Sequence, residues 1–372
     1  MLKNGLGELI LDQASSSSRI VDLFSGAGSV SWYAAEKSEL PVLSVDMQAY
    51  SSILASAIIE RDYPLIPDPI FKKWLNRAGN NRIKSPYWGA ACDLAKVKMD
   101  AADIVEKARL LCSNESLIGP IWNAYGGHYF SPSQALTFDY LVRSLPDNEP
   151  HKTVAIAAIL HAAIKCAASP GHTAQPFQPT IGAKIFLFEA WNRDPIQECS
   201  RSLETLCPRH AKVRGRAIIA DAVEIARTLC EDDLVIVDPP YSEVQYSRFY
   251  HVLETIARGH CGKVSGIGRY PPINERPQSA FCNKSQSKGA LQDLLSILSS
   301  VRATLILTFP SGECTNGLSG DYVKRTACVH YEIQEELIKG QFSTLGGNNK
   351  HRTSRKSSSE LLLLLKPKHK QM

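Results

Sequence analysis

A series of short apolar runs, each stopping at an aspartate, a glycine or a proline, constrains this chain more than any other feature. RIVDLF (19–24), PVLSVD (41–46), RAIIAD (216–221), DLVIVDPPY (233–241) and ATLILTFPSG (303–312) are too short for core helices. They are also too continuous for strands wetted on one face. They read as strands buried on both faces. Helical stretches follow three of them: VSWYAAEKS (30–38), Met47 to about Asp62, and AVEIARTL (222–229). Strands that need cover on both sides, followed by helices, specify an α/β fold with a mostly parallel sheet. VHYEIQEELI (329–338) and ELLLLLKP (360–367) are expected to form a terminal strand pair.

The strand–helix pattern lapses between 64 and 212. FKKWLNRAGNNRIKSPYWG (71–89) is basic, aromatic and loop-like, whereas DAADIVEKARLLC (100–112), SPSQALTFDYLVRSL (131–145) and KTVAIAAILHAAIKCAA (152–168) have helical periodicity. The expected organisation is a first part of the α/β domain at 1–63, a largely helical insertion at 64–212, and a second part of the α/β domain at 213–372.

With 372 residues, 44% of them hydrophobic, the chain can bury a large core. Lys plus Arg number 42 against 37 Asp plus Glu, a net charge of +5 that permits a nucleic-acid partner without demanding one. The ten cysteines include no C-x-x-C pair, which points to reduced thiols rather than a metal site or a disulfide scaffold. Cys207 with His210 lacks a second half, so no metal is expected. MLKNGLGELILDQ carries acids and no long apolar core, and Leu361 to Leu365 is too short to cross a bilayer. These features predict a soluble, cytoplasmic protein.

The ends of the runs carry the chemistry. In an open parallel sheet, ligands bind beyond the carboxyl ends of the strands. Phe24-Ser-Gly-Ala-Gly28 stands at such a point, and its glycines permit a sharp turn and a close approach to a ligand. Asp46, about 20 residues on, is placed to accept hydrogen bonds from ribose hydroxyls. Asp221 is placed to receive an adenine amino group. Phe24, Ser25, Gly26, Gly28, Asp46 and Asp221 thus form a candidate site for an adenosine-containing cofactor. The third position of a G-x-G-x-x-G pattern is Ser31, and no P-loop is present, which disfavours nicotinamide chemistry and nucleotide hydrolysis.

Asp238-Pro239-Pro240-Tyr241 narrows the reaction. Average composition yields such a tetrapeptide in about one chain of this length in several hundred. An exocyclic amine is a poor nucleophile because its lone pair is delocalised into the base. Two acceptors aimed at its hydrogens, the Asp238 carboxylate and the Pro239 carbonyl, would localise that pair. The restricted φ of proline fixes the carbonyl's direction, and Tyr241 offers a flat face for a base taken out of its duplex.

Phe24-x-Gly26-x-Gly28 followed by Asp238-Pro-Pro-Tyr241 resembles the DNA adenine-N6 methyltransferases of the Dam-like D12 class. FSTLGGNNKHRTSRKSSSELLLLLKP (342–367) is similar to that class's closing hairpin, and GGHYFSPSQALTFDYLVRSL (126–145) to its helical insert. The resemblance implies a Rossmann-like methyltransferase fold with a seven-stranded sheet and a helical inserted domain. It also implies S-adenosylmethionine as cofactor, N6-adenine methylation of double-stranded DNA with base flipping, and a bacterial role in restriction-modification, phage defence or epigenetic marking. Cytosine N4, an RNA amine, or DNA binding without turnover are the alternatives, and monomer and dimer are both open. One departure stands out. The family pattern begins with Trp-x-Gly-Gly-Lys, which the 18 residues before the first strand lack. SPYWGA (85–90) is a candidate substitute.

DNA contacts are expected from cations and aromatics on loops. Lys72, Lys73, Arg77, Arg82 and Lys84, interleaved with Trp74, Tyr87 and Trp88, form one group. The polar stretch 268–288 forms a second, and Lys350, His351, Arg352, Arg355 and Lys356 a third. Next to the tetrapeptide, Tyr246 and Arg248 are the nearest candidates. His251 is a weak candidate for chemistry, because amine methylation needs no strong base.

Overall fold

The computed structural model describes residues 2–66, 69–94, 99–113, 118–343 and 355–368, with backbone alone for 336–343 and 355–358. The candidate positions Lys350, His351 and Arg352 lie outside the described residues, as do the side chains of Arg355 and Lys356. The chain contacts separate two units, one of residues 1–63, 210–246 and 278–372, the other of 64–209 and 247–277.

The first unit is an α/β fold built on a seven-stranded, largely parallel sheet, as the apolar runs predict. Its strands are β1 (Arg19–Asp22), β2 (Val42–Asp46), β3 (Arg216–Ile219), β4 (Asp233–Val237), β5 (Thr304–Pro310), β6 (Tyr331–Ser343) and β7 (Arg355–Pro367). They lie in the order β3-β2-β1-β4-β5-β7-β6. The first five in that order are parallel, while β7 runs antiparallel to both β5 and β6. The order reverses between β1 and β4, which makes the crevice above their carboxyl ends the natural ligand position. A bidentate bond from Arg19 to Asp233, at 2.8 and 2.7 Å, ties the opposite ends of those two strands.

Side chains alternate across the sheet. Val21, Val45, Val235, Val237, Leu305, Leu307, Phe309 and Leu363 share one buried core. The helix Ser287–Ser300 covers them with Leu291, Leu294, Leu295 and Leu298, an apolar stripe at helical spacing. Each such leucine contributes about 1.5–3 kcal/mol of burial. The other face carries Ile20, Asp22, Ser44, Ile236, Ile306 and Thr308, all buried. Helix Ser29–Lys37 covers part of this face, where Ser31 bonds both Asp22 and Ser44. Of the buried polar groups on this face, Asp22 and Thr308 belong to the site described below.

The second unit is helical. Its central helix, His151–Cys166, is largely apolar and buries Val154, Ala155, Ala158, Ile159 and Leu160, while Lys152, Ile164 and Lys165 are exposed. Helix Pro132–Arg143 starts at a capping box in which Ser131 and Gln134 satisfy each other's backbone N–H groups. The loop expected at 71–89 is a correction: Pro69–Ile83 and Trp88–Leu94 are helices. Phe71, Trp74 and Ala78, spaced by three and four, bury one face of the first helix beneath charges and asparagines that hide the period. Among the described residues no helix is long and apolar enough to cross a membrane.

Candidate active site

The loop after β1 is shaped by its glycines. Gly26 and Gly28 adopt φ of +51° and +80°, the left-handed region where a side chain is strained. A Cβ on Gly28 would also stand 3.0 Å from Trp32 Nε1. Gly28 then caps helix Ser29–Lys37. Asp46, at the end of β2, holds this loop: its carboxylate accepts the Gly26 N–H and the Gln48 N–H, each at 2.9 Å. The Ser51 hydroxyl donates to the Gly26 carbonyl. Phe24 stacks edge-on against Phe281, with ring centroids 5.2 Å apart.

A cleft of about 630 Å³ opens over this loop, within the size range of small-molecule sites. Phe24, Ser25, Gly26 and Ala27 line it from one side, and Ile236, Asp238 and Thr308 from the next two strands. Leu2, Lys3, Asn4 and Leu6 line it too. The N-terminal segment thus forms part of the cleft wall. In the SPYWGA stretch (85–90) Tyr87 packs against Trp122, and Arg82 stacks on Trp88 at 4.7 Å, all inside the helical unit. The Ser25 hydroxyl is buried with no hydrogen-bond partner among the described residues, as is Gln48 Oε1. Unpartnered buried polar atoms in a native fold call for an explanation, and a polar ligand in the cleft supplies one for Ser25.

Asp22 also lines the cleft and was missed from the sequence, although it is the one acid in the apolar run RIVDLF. Its carboxylate accepts the Ser31 hydroxyl at 2.7 Å and the Phe24 N–H at 3.4 Å. Burial pushes its pKa from 3.8 up to about 7, and the nearby carboxylates of Asp238 and Asp46 add to the rise.

Asp238 leaves the carboxyl end of β4 and takes the Thr308 hydroxyl on Oδ1 at 2.7 Å. Burial raises its pKa, and that bond opposes the rise. The next residues are held from behind. Asn316, fully buried, donates to the carbonyls of Pro240 at 2.9 Å and Phe281 at 3.0 Å. The Gln245 amide exchanges two hydrogen bonds with the Ser279 backbone. The Pro240 carbonyl is thereby occupied, whereas the Pro239 carbonyl accepts no hydrogen bond among the described residues. Asn316 and Thr308 were not anticipated. Thr308 had a signal, as the only polar residue between the terminal threonine and proline of TLILTFP, and Asn316 had none.

Tyr241 is half-buried against the core and hydrogen-bonded to Tyr246, whose pKa burial raises. Asp221 caps helix Ala222–Ala226 through Oδ1, 2.8 Å from the Val223 N–H. That structural bond leaves its other oxygen for a ligand.

In the helical unit, Arg248 is exposed and lies over the Tyr270 ring at 4.7 Å. His251 is buried with its two ring nitrogens against the carbonyls of Arg248 and Gly268, and burial lowers its pKa to about 4. Trp74 is a core residue, 1% exposed, with its indole N–H on the Leu141 carbonyl at 3.0 Å. Arg77 donates to the carbonyls of Ser144 and Leu145, and Arg82 to the Thr137 hydroxyl. These side chains brace helices.

A search of curated proteins finds no match to the chain. Residues 3–112 match the family model of the D12 class N6 adenine-specific DNA methyltransferases. The match begins in the N-terminal segment that lines the cleft and takes in the glycine loop and Asp46, and it stops short of Asp238.

Proposed function

We propose that this chain is an S-adenosylmethionine-dependent methyltransferase acting on the N6 amino group of adenine in double-stranded DNA. One observation carries the reading. The glycine loop and Asp238 line a single cleft at the reversal point of the sheet. A bound S-adenosylmethionine would supply an electrophilic methyl group there, for transfer to the amine nitrogen with the S–C electron pair leaving on the sulfur.

The residues present fit that group. Asp46 offers acceptors to ribose hydroxyls, Asp221 one oxygen to the adenine amine, and Ser25 an unsatisfied hydroxyl. Asp22, a buried carboxylate with no ion-pair partner among the described residues, suits the ammonium of the methionine moiety. Asp238 Oδ2 and the Pro239 carbonyl are the acceptors for the two amine hydrogens, and neither takes a hydrogen bond among the described residues. They draw the nitrogen towards tetrahedral geometry, and Asp238 receives the proton that the methylated nitrogen sheds. Tyr241 provides the stacking face for the flipped adenine. Arg248, exposed and stacked on Tyr270, offers a cation to a DNA phosphate or base. Restriction-modification, phage defence and epigenetic marking all suit such an enzyme.

The test is a split between chemistry and binding. Asp238→Ala should lower single-turnover methyl transfer by about a hundredfold or more while S-adenosylmethionine still binds. Asp46→Ala should weaken the cofactor instead. Full transfer by Asp238→Ala would remove the assigned role.

A further inference from the structure

Strand β5 presents a buried anomaly. Within TLILTFP the side chains of Leu305, Ile306, Leu307 and Phe309 are apolar and essentially unexposed, and Thr308 is 0% exposed among them. Valine would fill the same β-branched space without a hydroxyl to desolvate. The hydroxyl therefore has to be accounted for by its bond, and that bond goes to Asp238 Oδ1 at 2.7 Å. Val237 and Leu307 are paired in register, so Thr308 stands beside Asp238 just where β4 ends. Both side chains line the cleft.

We propose that Thr308 is a positioning residue for the methyl transfer: its hydroxyl, donated to Asp238 Oδ1, fixes the rotation of the carboxylate and reserves Oδ2 for the target amine. This inference rests on the function proposed above.

The surroundings of Asp238 give the bond a second effect. Asp22 on β1 and Glu360 on β7 both feel its charge, and Glu360 shares the sheet face of Thr308 through the pairings Thr308–Leu362 and Pro310–Glu360. Glu360 is 7% exposed, and burial together with Asp238 pushes its pKa up to about 7. Tyr246 faces Asp238 from the loop that follows, and Lys3 lines the same cleft. With carboxyls on either side, the Thr308 hydroxyl is the short contact that favours the charged form of Asp238.

The experiment compares Thr308→Val with Thr308→Ser in the full chain, by two readouts. Carbon-13 titration of the Asp238 carboxyl, assigned with Asp238→Asn, should show its midpoint raised by about one to two pH units in Thr308→Val. Thr308→Ser should titrate like the wild type. Single-turnover transfer of labelled methyl to DNA should fall by about tenfold or more in Thr308→Val. Its acid limb should move to higher pH with cofactor affinity held, and the serine variant should restore both. A valine variant that titrates and turns over like the wild type overturns the proposal, as does a serine variant as impaired as the valine one. A wild-type chain that transfers no methyl to DNA refutes the function itself, and the carboxyl titration then still decides whether Thr308 controls Asp238.

Discussion

Asp22→Asn should make the ligand-free protein more stable at neutral pH while damaging its cleft. The carboxyl's pKa rises from 3.8 to about 7 on folding. At about 1.4 kcal/mol per pH unit, that gap amounts to a cost of about 4 kcal/mol for holding the charged form in the folded state. The sign follows from proton counting. Between the two values the folded chain binds the proton and the unfolded chain does not, so stability falls as pH rises from about 4 to about 7. Asparagine keeps the local bonds, because its oxygen can accept the Phe24 N–H while its amide donates to Ser31, which still reaches Ser44. Urea unfolding of both proteins from pH 4 to pH 8 measures the effect. The wild type should lose up to about 4 kcal/mol more than Asp22→Asn across that range. Parallel pH profiles would refute the reasoning, because they would mean that Asp22 is as well solvated or paired when folded as when unfolded.

Two further substitutions test the framework around the cleft. Gly28→Ala places a side chain at φ +80° and brings a Cβ to 3.0 Å from Trp32 Nε1. It should cost at least about 1–2 kcal/mol in urea unfolding, and an unchanged midpoint would remove the strain argument. Trp74→Ala should cost about 3–5 kcal/mol in the same assay, as for a fully buried aromatic. A loss of DNA affinity without a loss of stability would return Trp74 to the DNA-contact group.

The sheet was legible because burial on both faces leaves continuous apolar runs, and the acid or proline that ends each run marks a strand's carboxyl end. The first five strands were expected for that reason, and a terminal pair was expected beside them. The helix at 69–83 was not, because only Phe71, Trp74 and Ala78 mark its buried face among charged and amide residues. The segment 247–277, read as part of the α/β half, has its contacts with the helical unit. Neither the apolar runs nor the tetrapeptide carries information on such long-range grouping. At the cleft, the glycine loop and Asp238 were visible because rare residues mark unusual backbone. Asn316 was not, since its importance lies in reaching Pro240 and Phe281, far away in sequence. The Asp221 cap shows a functional candidate that also has a local structural task.

Incubating the chain with labelled S-adenosylmethionine and double-stranded DNA, then digesting the DNA to nucleosides, decides whether it methylates adenine. Label is expected in N6-methyladenine. Label in N4-methylcytosine would keep the chemistry at Asp238 and contradict the assigned base, and unlabelled DNA with cofactor bound would contradict methyl transfer to DNA altogether.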